Sequence, residues 1–440
     1  MTRLHLNTIK AFRHDTYSSF GRAKDALFNI VDALLTEDRA KSFPELSLSP
    51  HFERQWPSLY EALEDGMIDQ HYLQEVFARY LPYPSPEETL WVGIDASGIA
   101  RPQAVTSADR SAQHVHNLPN CDKPVTYGWQ FSTVVALPET PSSWTYILDQ
   151  QRVSTDTTPA QVAFAQVQGV MAWLPENTIR VLDRGYDSLW FWCRCSTLPG
   201  KGTLIRLKGN RCFYRGAPAR TGKRGAPRKD GDKLQPNDET THGNPDGHWE
   251  GKDAKERSVA ISWWQSIHVK AARWLEMTVI RVVRPHATNK ERDPRVSWFV
   301  WLGDQQADIA HIGLGYVRRF SQEHGYRFDK QCLLWAKPRL RTPEQFERWS
   351  LLVAIAHNLL VLARHCVAAE LRPWENKQRQ ATPQHVRRGM SKLLPQLGTP
   401  ARPPRPRGKS PGRAKGAKMS KAKRFAVVKK QPKLPKLVPK

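Results

Sequence analysis

The stretch "YVRRFSQEHGYRFDK", Tyr316 to Lys330, sets the carboxylate of Glu323 between two cations, Arg319 and Lys330, with Tyr316 ahead of all three. On a helix turning 100° per residue these four side chains fall within an arc of about 60°. A solvated helix face usually mixes its charges more widely, so this one is aimed at something. Gly325 lies inside the same segment. It costs a helix about 1 kcal/mol relative to alanine, and a break there would carry Lys330 off the shared face.

Ahead of this segment the chain changes texture several times. Residues 1–85 have helical periodicity, clearest in "FGRAKDALFNIVDALL" and again in "HYLQEVFARYL", and "PYPSPEE" then marks a boundary. "LWVGIDASG", "YGWQFSTVVALPE" and "WTYILDQQRV" follow as strands. "TPAQVAFAQVQGVMAWL" opens on Thr-Pro as a helix start, "TIRVLDRG" is a short strand, a Trp-rich helix comes next, and "TLIRLKG" is a further strand. The expected order is therefore three strands, helix, strand, helix, strand over 86–209. A Gly-, Pro- and charge-rich stretch with Trp-rich strands after it suggests a β-rich insertion over 210–305 that carries a mobile basic loop. The segment 306–370 holds the opening stretch and the apolar helix near its end. From Leu371 the Pro- and Lys-rich tail has no apolar period and is expected to be disordered.

Two aspartates stand where apolar strands give way to turns: Asp95 in "WVGIDAS" and Asp183 in "IRVLDRG". An acid at a strand's carboxyl end can project into a crevice, although either one alone reads first as a turn-capping residue. Three carboxylates brought together without cations would repel and partly protonate. Hard divalent ions solve that problem, and two of them about 4 Å apart can activate an attacking oxygen and stabilise a leaving one at a phosphodiester.

The spacing Y-x2-R-x3-E-x6-K (Tyr316, Arg319, Glu323, Lys330), with "DRGYD" around Asp183 and Asp95 on an early strand, resembles the signature of bacterial insertion-sequence DDE transposases. The resemblance spans roughly residues 88–366. It implies an α/β fold with a ribonuclease H-like mixed sheet and flanking helices, interrupted by the β-rich insertion. It implies Asp95, Asp183 and Glu323 as catalytic metal ligands for two Mg²⁺ or Mn²⁺ ions, and Tyr316, Arg319 and Lys330 as the residues that hold the DNA end. Its partners would be double-stranded DNA, both element ends and target, with a dimer as the working form. The alternative is a catalytically inactive DNA-binding protein derived from such a transposase. In related enzymes an insertion aromatic stacks on a flipped base; here Trp263, Trp264, Trp274, Trp298 and Trp301 read mainly as core residues.

Composition limits the other classes. The 40% hydrophobic content is enough for a substantial core. No apolar run reaches membrane-spanning length, and "LLVAIAHNLLVLA" reads as a buried helix. The first residues lack the apolar core of a signal peptide, and six cysteines without a CxxC pair suit reduced thiols, so a cytoplasmic protein is expected, to which the resemblance adds association with the bacterial nucleoid. His114, His116 and Cys121 lack a fourth ligand at convincing spacing and are taken as loop residues, and Cys193 and Cys195 as packing residues. "RPQAVTSADR" (101–110) either lines the cleft or forms a charged surface hairpin. The net charge of +25 is uneven: residues 371–440 hold 21 Lys and Arg against Glu375, leaving only +5 for the rest. Such a tail supplies salt-dependent phosphate binding or is simply a solvated extension.

Overall fold

The structure is a computed structural model. It describes residues 3–82, 88–114, 124–220, 226–288, 294–376, 380–405, 412, 414–418 and 420–429. The N-terminal region is helical, as its periodicity predicts: α1 (Arg3–Ser18), α2 (Lys24–Thr36), α3 (Phe43–Leu46), α4 (Pro57–Asp65) and α5 (Gln70–Arg79). Then come β1 (Trp91–Ala100), β2 (Ser111–His114), β3 (Val125–Ala136), β4 (Tyr146–Val153), α6 (Pro159–Val170), β5 (Ile179–Leu182), α7 (Leu189–Cys195) and β6 (Gly202–Arg206). Apart from the short β2, this is the element order expected over 86–209. Thr158 and Gln161 close a reciprocal capping box at the start of α6, with Pro159 in the first turn, so local chemistry sets that boundary.

The 210–305 region contributes β7 (Phe213–Tyr214), β8 (Lys233–Leu234), β9 (Gly247–Lys252), β10 (Ser258–Val269), β11 (Ala272–Val283) and β12 (Val296–Gly303). It is β-rich as expected, but its strands extend the central sheet. β12 pairs antiparallel with β6, and the order runs β2-β3-β1-β5-β6-β12-β11-β10-β7-β8, with β4 on β3 and β9 on β10. β1, β5 and β6 are mutually parallel, while β3 runs antiparallel beside β1. The result is a large mixed sheet with flanking helices.

The chain then forms α8 (Ile309–Gly315), α9 (Phe320–Gln331) and α10 (Pro343–Leu362). α10 is the apolar helix read from the sequence. Thr342 and Gln345 cap its start, and Leu352, Val353, Ile355, Leu359 and Leu360 are fully buried. Its length and hydropathy would also suit a membrane span, but it is mostly enclosed by this fold.

The tail requires a correction. Residues Pro383–Leu397 form α11, whose apolar face (Val386, Met390, Leu393, Leu394) is buried against the α1, α2 and α10 layer. Arg387 is fully buried and donates to the carbonyls of Leu34, Glu37 and Cys332, each at 2.7 Å. Burial pulls this guanidinium down to about 10. The compositional reading missed α11 because the Pro- and Lys-rich average of the tail hid a short apolar period, Val386, Met390, Leu393 and Leu394 at i, i+4, i+7 and i+8. Cutting the chain after Glu370, or Arg387→Met, should therefore lower urea resistance by at least about 3 kcal/mol, because three buried carbonyls lose their donor. Equal unfolding midpoints for the full chain and the cut chain would contradict this.

Candidate active site

β1 and β5 lie side by side with Ile94 opposite Leu182, so Asp95 and Asp183 follow on adjacent parallel strands. Asp95 is not at a strand end, as the sequence suggested, because β3 pairs with β1 as far as Ala100. It is instead where the parallel partner stops, which opens the same kind of crevice. Asp183 does both things proposed for it. One oxygen caps the following turn by accepting from the Gly185 amide at 2.8 Å, and the other faces the site.

The third acid arrives from α9. Glu323 and Arg319 are four residues apart, and Arg319 is the centre of the arrangement. Its guanidinium lies 3.1 Å from Asp95 Oδ2, 3.6 Å from Asp183 Oδ2 and 3.5 Å from Glu323 Oε1. The arginine side chain is only 8% exposed. Burial works against its charge, and the three carboxylates, Asp95 first, more than reverse that. Burial also pushes Asp95 up to about 6; Arg319 pulls it down, and Asp183 and Glu323 push it up again.

Three carboxylates around one guanidinium leave a surplus of negative charge in a confined space. Hard oxygen donors with unbalanced charge are the set that suits Mg²⁺ or Mn²⁺. Asp95 and Asp183 face the same guanidinium nitrogen, so a single cation there would meet both. The donors thus fit the implied metals in kind. They are drawn around the arginine, however, and among the described residues no three His, Cys, Asp or Glu close tightly enough to form a metal cluster.

The other signature residues are placed differently from the expectation. Residues 316–319 form a 3-10 turn and α9 starts at Phe320, so the four residues do not share one ideal helix. Tyr316 is buried, with its ring centroid 4.6 Å from that of Phe299 on β12. Lys330 donates to Ser97 Oγ at 2.8 Å and the Gly98 carbonyl at 2.7 Å. In this structure, then, Tyr316 joins the helix to the sheet and Lys330 fastens α9 to β1; neither presents a free polar end to DNA. Helix α9 continues unbroken through Gly325, where a Cβ would come 2.6 Å from Thr145 Oγ1. The glycine permits that close approach to Thr145.

Two positioning residues escaped the sequence reading. Tyr326 donates from its hydroxyl to the Asp95 carbonyl at 2.8 Å, and Gln322 donates to the Thr133 carbonyl at 2.9 Å. With Lys330 they form an i, i+4, i+8 stripe that docks α9 across β1 and β3. That period was present in the sequence, but its polar residues gave no sign of facing inward. Gly93 belongs to the same contact, since a Cβ there would stand 2.9 Å from Gln322 Oε1. In "DRGYD", Asp187 is structural: it accepts from the Lys208 amide at 2.7 Å and Arg211 Nε at 2.8 Å.

Other expectations resolve simply. Trp264, Trp298 and Trp301 are core residues, Trp264 and Trp298 stack at 5.4 Å, and Trp274 is half exposed. Cys193 and Cys195 are buried on α7 as packing residues. His116 and Cys121 lie outside the described residues. Arg101 and Arg110 both turn inward, so the 101–110 segment is neither a charged surface hairpin nor a pair of cleft cations.

Behind α9, His357 on α10 lies 2.7 Å from Asp329 Oδ1 through Nδ1 and 2.7 Å from the Thr145 carbonyl through Nε2. Both neighbours are pure acceptors, so the ring satisfies them only as a doubly protonated imidazolium. Burial opposes that charge, while Asp329 and the Thr145 carbonyl raise the ring above its ordinary value. A raised folded-state value means the stabilisation is fully present below about pH 6.5 and fades as pH rises through the folded value. Urea unfolding should therefore show wild type losing stability relative to His357→Gln as pH rises above about 6.5. Parallel pH profiles would mean the ring is neutral in the fold.

No curated protein matches this chain. Residues 15–268, from within α1 to the end of β10, match the family model described as DDE superfamily endonuclease. The match includes Asp95 and Asp183 and stops before Glu323, whose membership of the site rests on its approach to Arg319. Family membership implies a nuclease with DNA as its substrate class and a dependence on divalent metal. With more than half its length matched, this chain belongs to the DDE superfamily endonucleases.

Proposed function

We propose that this protein is a DNA transposase that cleaves the ends of an insertion sequence and joins them to target DNA. The observation that carries this reading is the convergence of Asp95, Asp183 and Glu323 on one buried guanidinium, from two parallel strands and a helix. Clustered acids with perturbed charge at the end of adjacent parallel strands mark a candidate functional site, and phosphoryl transfer depends on such placed charge.

In the first reaction a water attacks the phosphodiester at the element's end, and the broken P–O bond leaves a 3′-hydroxyl. In the second, that hydroxyl attacks a target phosphodiester in line and displaces a target 3′-oxygen. Divalent metal, two ions per site held by Asp95, Asp183 and Glu323, supplies Lewis-acid activation and charge neutralisation when bound. Arg319 holds the carboxylates together beforehand. The planar fork of Arg319 is also suited to bind a DNA phosphate bidentately at this site. Lys330, Gln322 and Tyr326 keep α9 on the sheet, so that Glu323 reaches the two aspartates. Two ends must be processed together, which makes a dimer on DNA the working form, on the bacterial nucleoid in the cytoplasm.

The test is cleavage of a plasmid that carries the gene's own flanking DNA, in Mg²⁺, Mn²⁺ and EDTA. Metal-dependent cuts at two defined ends are expected, reduced at least about 100-fold by Glu323→Gln or Asp183→Asn. Tight binding to those ends without any cut would instead mark a DNA-binding remnant. Metal binding carries a pH signature as well. Asp95 must lose its proton to coordinate an ion, so Mn²⁺ affinity should fall as pH drops through about 6. Titration at pH 5 and pH 7 with identical affinities would remove Asp95 from the ligand set.

A further inference from the structure

The C-terminal segment beyond α11 returns to the catalytic sheet. The Phe425 amide donates to the Val105 carbonyl at 2.9 Å, and the Val428 amide to the Arg110 carbonyl at 2.7 Å. Val428 forms an isolated parallel bridge with Ser111, the first residue of β2, so the tail pairs with the outer edge of the sheet at this point. Arg110, which is 2% exposed, completes the joint. It donates to the carbonyls of Ser107, Arg101 and Pro102 within its own loop, and to the Phe425 carbonyl at 3.2 Å. The loop that looked like a charged hairpin is thus a socket for the tail.

The docked segment carries Lys421, Lys423, Arg424 and Lys429, all exposed, and none is ion-paired to a described carboxylate. Lys423 Nζ sits 5.2 Å from the Phe425 ring. Position along the sheet follows from register. Ser111 and Ala100 both pair with Gly128, and Ala100 lies five residues beyond Asp95. Val428 pairs outside Ser111, so it is about 17 Å along the strand from Asp95 and about 14 Å across three strand spacings. A duplex with one phosphate at the carboxylates would therefore pass the docked segment within about seven base pairs.

We propose that residues 420–429 form a docked phosphate-binding arm. Phe425 and Val428 fix the segment to the sheet edge, and its four cations neutralise backbone phosphates of duplex DNA whose scissile bond lies at Asp95, Asp183 and Glu323. The proposal rests on DNA being the substrate and extends it with a second contact surface. It differs from a loose basic tail in that position, and not charge alone, determines the binding.

The test uses the full chain and a labelled 30-base-pair duplex of arbitrary sequence, with affinity measured across a salt series. Neutralising Lys421, Lys423, Arg424 and Lys429 to Gln should make the slope of log affinity against log salt shallower by about 3 to 4, at about 0.9 per phosphate contact. Replacing Phe425 and Val428 together by proline removes both amide donors without changing any charge. This variant should weaken binding by at least about fivefold, through lost preorganisation. Thermal unfolding of each variant verifies that the fold is intact. An unchanged slope in the glutamine variant overturns the arm. Weakening by the glutamines but not by the prolines overturns its docked placement and leaves a loose polycation. Absence of DNA binding by the wild type would sink the nuclease reading along with the arm, whereas wild-type binding with both variants unaffected sinks the arm alone.

Discussion

Placing three carboxylates within reach of one another is unfavourable, and the architecture around the site can be understood from how that cost is met. Arg319 supplies one positive charge at the centre, itself buried and therefore stable only because the acids surround it. Neither side of this cluster would be tolerated alone. A buried guanidinium without acids would be uncompensated, and the acids without it would protonate, as Asp95 is already inclined to do. The balance is incomplete, and the surplus of carboxylate oxygens is the kind of donor set that suits a hard divalent ion.

Holding the cluster requires precise placement of a helix on a sheet. An apolar interface would leave α9 free to shift by small amounts, because dispersion contacts have little directional preference. Here the contact is made by hydrogen bonds from Gln322, Tyr326 and Lys330 to groups on β1 and β3, each with a single acceptor geometry. The buried His357 with Asp329 and Thr145 braces the opposite side, tying α9 to α10 and to the segment leading into β4. The glycines at 93 and 325 let the surfaces approach closely enough for those bonds to form.

The remainder of the chain closes around this centre as one body. The 210–305 strands continue the core sheet beyond β6 and put Phe299 under Tyr316, so the insertion helps to set the approach of α9. At the other end, α11 packs on the N-terminal helices. Arg13 is paired with Asp32 at 2.5 Å and also donates to the Gly398 carbonyl at 2.9 Å, which joins the first helix to the last. A basic composition concealed this role, since arginine stems and guanidinium donors can serve a core as well as a solvated surface.

By itself the sequence determined the local elements and the identity of the acids. Alternation in "WVGIDAS" and "IRVLDRG" specified strands, the Thr-Pro start specified α6, the apolar run specified α10, and the spacing around Glu323 singled out one carboxylate among many. These are short-range properties, set by a residue and its neighbours within a few positions. Only the tertiary structure decided that Arg319 sits among the acids, that Tyr316 and Lys330 are spent on packing and fastening, and that the tail contributes a helix and an edge bridge. Apart from the packing of Tyr316 on nearby Phe299, these outcomes depend on partners remote in sequence, such as Asp95 for Arg319, Leu34 for Arg387 and Arg110 for Val428. A polar side chain carries no mark of which distant group will satisfy it, so its role becomes readable only once the chain has brought the two together.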